Sequence, residues 1–96
     1  MELAIDTSSS IASLALAQEG TVLAELTWRC EQNHSRELLP SIDFLTRTGK
    51  AKGKNLTGII VAIGPGSFNG LRVGVATAKG LAYALNIPLV GISSLE

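Results

Sequence analysis

Across Gly64-Pro65-Gly66-Ser67 the sequence changes period. Before it, Ile59 to Ile63 is an apolar run rich in β-branched residues; after it, apolar residues recur every three or four positions as far as Leu85. Glycine can take positive φ, proline fixes φ and ends strand pairing, and Ser67 can cap a helix start. The stretch therefore reads as a strand, a tight turn and a helix N-terminus, a geometry that offers backbone N–H groups to an anion.

The rest of the chain fits around that unit. Leu3-Ala4-Ile5 reads as a short buried strand ending at the polar turn Asp6-Thr7-Ser8-Ser9-Ser10. Ile11 to Gln18 and Thr21 to Trp28 read as two further strands, with Glu19-Gly20 as a hairpin turn. The period then switches: Leu38, Leu39, Ile42 and Leu45 recur at helical spacing between about His34 and Thr48, with Asn33 or Ser35 as cap and Pro40 within the first two turns. A basic loop, Gly49 to Asn55, leads to a fourth strand over Leu56 to Ile63. Asn86-Ile87-Pro88 stops the second helix, and Leu89 to Ile92 forms a fifth strand. The order is βββαβαβ. Short turns pair the first three strands antiparallel, whereas a strand–helix–strand passage gives a parallel crossover, so the expected fold is α/β with a mixed five-stranded sheet. The layout resembles that of ribonuclease H-like domains, the group that includes actin and the sugar kinases.

A chain of 96 residues makes one domain or part of one. Its hydrophobic content of 46% and mean hydropathy of +0.32 are high for so small a domain, which points to apolar surface beyond the needs of its own core. Net charge is zero, so the electrostatic footprint of direct nucleic-acid binding is missing. The single cysteine, Cys30, excludes an internal disulfide and suits a reducing compartment. Met1-Glu2-Leu3-Ala4-Ile5-Asp6 lacks the basic start and long apolar run of a secretory leader, and the apolar segment Leu71–Leu85 carries Arg72 and Lys79 and is shorter than a membrane span. A cytoplasmic globular domain is expected.

Three groups of residues are candidates for chemistry. Asp6, with Thr7, Ser8 and Ser9, could hold a magnesium–phosphate group at the end of a first strand, or could simply cap the turn with its side chains. Gly64, Gly66 and Ser67 could complete a phosphate loop with Asp6. They match neither Walker A, which needs Gly-Lys-Ser/Thr, nor the dinucleotide fingerprint, whose third glycine would precede Gly70 by one position. Cys30 and His34, four apart, resemble half of a metal site; the chain has no other His or Cys, so a structural histidine and no metal is expected. The three lysines between Gly49 and Asn55 read as a solvated loop.

The second helix carries apolar or small residues nearly all round. Leu71, Val75, Ala78, Ala82 and Leu85 form a stripe suited to the sheet; Gly70, Gly74, Thr77 and Leu81 form another face, and Val73, Ala76, Gly80 and Ala84 a third. An interior glycine costs a helix roughly 1 kcal/mol against alanine, so Gly74 and Gly80 imply close approach of another element. The expectation is that both helices build a partner-binding surface from Leu38, Ile42, Leu45, Gly70, Val73, Gly74, Thr77 and Leu81.

Four blocks together carry a resemblance: Leu3-Ala4-Ile5-Asp6-Thr7-Ser8, His34-Ser35-Arg36-Glu37-Leu38-Leu39-Pro40, Gly64 through Gly74, and Ile87 through Leu95. In composition and order they resemble the TsaB (YeaZ) family over essentially the whole chain, as the N-terminal domain of a family member whose second domain is not in this sequence. Asn69 departs from the pattern, which usually has threonine there. The resemblance implies an ASKHA-type (actin-like) fold and a part in making N6-threonylcarbamoyladenosine at position 37 of tRNA. It implies a non-catalytic subunit that dimerises with the transferase subunit TsaD through N-terminal-domain helices. An ATPase subunit, TsaE, would complete the complex, so ATP or ADP would act at the level of the complex, with no cofactor required by this chain and tRNA met only indirectly. The older glycoprotease label of the family makes an M22-type peptidase homologue, or a nucleotide-binding ASKHA domain, the alternative. The transferase carries metal-binding histidines just after the last strand, and Ser94 stands where the first of them would be. A homodimer through the same helices is also expected.

Overall fold

The computed structural model describes residues 1–7, 11–29, 34–48, 56–63 and 68–92, and the side chains at 34–37, 48 and 68–71 lie outside that description. The elements are β1 (Glu2–Asp6), β2 (Ile11–Gln18), β3 (Thr21–Arg29), α1 (His34–Thr48), β4 (Gly58–Ala62), α2 (Phe68–Leu85) and β5 (Leu89–Ile92). They build one sheet in the order β3-β2-β1-β4-β5. β1 and β2 pair antiparallel with Ile5 opposite Leu14, as do β2 and β3, while β1–β4 and β4–β5 are parallel. The mixed sheet and the βββαβαβ order are those expected from the sequence.

Local chemistry accounts for the turns. The β2–β3 hairpin turns on Glu19 and Gly20 with φ of 53° and 81°, the two positive values of a type I′ turn that matches the twist of the strands. Next to it the register slips between Leu16 and Ala17, which face Ala24 and Val22, so Leu23 is the extra residue of a bulge in the edge strand. At the end of α2, Asn86 takes a left-handed φ of 56°. Its N–H donates to the Tyr83 carbonyl at 3.3 Å, and the Ile87 N–H donates to the Ala82 carbonyl at 3.0 Å. Those two bonds make a Schellman cap, and Pro88 prevents the helix from continuing.

Both helices lie on one face of the sheet. The crossovers β3-α1-β4 and β4-α2-β5 move the same way across it, and connections of one hand then land on one side. Alternation in the strands turns Leu3, Ile5, Leu14, Leu16, Ile59 and Val61 toward the helices; all are at most 2% exposed. α1 contributes Leu38, Ile42 and Leu45 to this core, and α2 contributes Ala78 and Ala82. The small alanines let α2 approach the sheet closely. β1 is tied to β4 at its start, where the Thr57 N–H donates to the Met1 carbonyl at 2.7 Å.

Leu38, Ile42 and Leu45, expected on a partner-binding surface, are 1%, 5% and 2% exposed within this chain. Their i, i+4, i+7 spacing is one stripe, and with the sheet's apolar face beside it that stripe turns inward. What α1 leaves outside is Leu39 and Phe44, each 56% exposed, and the surface ion pair between Arg47 and Asp43 at 2.8 Å.

Candidate functional site

The carboxyl ends of β1 and β4 share one edge of the sheet. Ile5 stands opposite Val61, so Asp6 and Ala62 follow side by side at that edge. Asp6 is half-buried on the face away from the helices, and Thr7, only 1% exposed, turns toward them. The chain leaves β4 here and returns as α2, which begins at Phe68. The fold therefore brings Asp6 and the start of the glycine turn to the same edge. Gly64, Gly66 and Ser67 themselves lie outside the described residues, as does Cys30, the proposed companion of His34. Among the described residues no three of His, Cys, Asp and Glu come together.

Thr7 sets how α2 sits on the sheet. A Cβ built at Gly74 would collide with Thr7 Oγ1 and meet Thr7 Cβ at 3.5 Å. Gly74 is buried, and the close approach that its missing side chain allows is to Thr7, just after β1 of its own chain. Gly74, expected on a partner-binding surface, makes its close approach inside the chain. Val73 and Leu81 are half-buried against the core, Thr77 is half-buried, and Gly70 lies outside the described side chains.

The outer face of α2 is made instead of Arg72, Ala76, Lys79, Gly80, Tyr83 and Ala84, all exposed, with Tyr83 at 90%. The spacing is i, i+4, i+7, i+8, i+11 and i+12, one continuous helical face. Sequence reasoning found Ala76, Gly80 and Ala84 as a face but passed over Arg72, Lys79 and Tyr83. The signal was available: removing the stripe that must cover the sheet leaves these positions on the far side. Nothing lies within 4 Å of a Cβ built at Gly80. Its helix cost, unlike that of Gly74, is not offset by any contact within the described chain.

Residues 9–96 match the sequence model of a family described as "TsaD: tRNA N6-adenosine threonylcarbamoyltransferase". A Bacillus subtilis protein named "tRNA threonylcarbamoyladenosine biosynthesis protein TsaB" is 44% identical over 98% of this chain and 41% of its own length. The solved structure of YeaZ from Pseudomonas aeruginosa superposes with a TM-score of 0.91 at 33% identity, over 98% of this chain and 44% of that one. The chain belongs to the TsaB (YeaZ) family. The "tRNA N6-adenosine threonylcarbamoyltransferase" of Legionella pneumophila is also similar, 38% identical over 95% of this chain and 28% of its own length. TsaB and the transferase thus share the unit seen here, and the fold is the actin-like one of YeaZ. The chain spans about two-fifths of the length of its TsaB relative. Among the described residues no helix is long and apolar enough to cross a membrane.

Proposed function

We propose that this chain works in the cytoplasm as a non-catalytic docking domain in tRNA N6-threonylcarbamoyladenosine synthesis, where it holds a TsaD-like transferase subunit through the outer face of α2. The observation that carries the reading is that face itself: six exposed positions on one side of an 18-residue helix, including a 90% exposed tyrosine and an interior glycine with open space above it. A helix with a purely solvated outer face has no use for Gly80 there, because alanine would be better by about 1 kcal/mol. A partner backbone that comes close gives the glycine its reason.

The kinship between TsaB and the transferase supports a partner of the same fold, since related domains commonly associate through equivalent faces around a pseudo-twofold axis. A serine at position 94, where the transferase has a metal histidine, supports a subunit without its own metal chemistry, because a hydroxyl is a poor ligand for a transition metal beside imidazole. A TsaE-like ATPase would join the complex, with nucleotide acting there, and tRNA would be held mainly by the partners of this neutral chain. The test is co-elution with the transferase subunit of the same organism on a sizing column. A shared peak at one-to-one ratio is expected; two separate peaks at micromolar concentration would refute the reading.

A further inference from the structure

We draw no further inference here: the strongest candidate, the apolar patch on the sheet face away from the helices where Val90 and Ile92 of β5 lie beside Ile60 and Ala62 of β4, carries nothing because nothing in the structure shows what covers it.

Discussion

Thr7 Oγ1, at the end of β1, occupies the space that a side chain at Gly74 of α2 would need. The pair locks the second helix onto the first strand and places α2's other side outward. Because Thr7 is short and 1% exposed, it has little room to give. Gly74→Ala should therefore destabilise the chain by about 1–3 kcal/mol through overpacking. Denaturant unfolding measures this directly. In the background of Thr7→Ala, which removes Oγ1 and leaves only the 3.5 Å contact, the same substitution should cost markedly less; an additive double mutant would show that the two residues do not restrain each other.

Gly80 should behave in the opposite way. It lies in the helix interior with open space where its side chain would be, so Gly80→Ala should stabilise the isolated chain by about 0.5–1 kcal/mol. For a domain of this size that raises Tm by several degrees, about 4–8 °C per kcal/mol. The same variant should bind the transferase subunit more weakly, because the added methyl stands in the path of an approaching helix. A melt together with a titration checks both halves.

Asn86 holds a left-handed conformation that closes α2. Asn86→Gly should keep or slightly raise stability, whereas Asn86→Val should lose roughly 1–2 kcal/mol, since a β-branched residue is strained at φ of 56°. Thermal melts of the two variants should separate clearly.

Leu38 separates core from interface. Buried at 1%, it should cost about 2–5 kcal/mol of stability when changed to alanine. Leu39→Ala, one position along and 56% exposed, should change stability by less than about 0.5 kcal/mol. Urea unfolding of the two chains distinguishes them; equal losses would contradict the burial assigned to α1.

The path of the chain was legible in the sequence to within a residue or two at nearly every element, because its signals are strong and agree with one another. Alternation in β2, the Glu19-Gly20 turn, the Asn86-Ile87-Pro88 stop and the switch of period at Gly64 all point the same way. The direction in which the helices face was less legible. Leu38, Ile42 and Leu45 form a good apolar stripe, but periodicity says only that one side is apolar, not whether the sheet or a partner covers it. Gly74 and Gly80 are alike in sequence and opposite in setting: one is pressed against Thr7, the other is open. That difference depends on the register of α2 over β1, a long-range relation that no local pattern encodes. The candidate phosphate loop divides in the same manner. Asp6 reaches the expected edge of the sheet through its pairing with β2 and its place beside β4, and Gly64, Gly66 and Ser67 lie outside the described residues.

The nucleotide reading of that edge gives a separate expectation. With no lysine in the Gly64–Ser67 turn, the isolated chain should give no one-site heat with ATP or ADP, with or without magnesium. Saturable binding at micromolar concentration would favour a nucleotide-binding domain over a docking one.

The most direct measurement is the affinity of the chain for the transferase subunit when the centre of α2's outer face is blocked. Ala76 is exposed at that centre, so Ala76→Trp should leave the stability of the isolated chain within about 0.5 kcal/mol of wild type. Its affinity for the transferase subunit should fall by at least tenfold, about 1.4 kcal/mol. Wild-type affinity in a folded Ala76→Trp chain would contradict docking through this face.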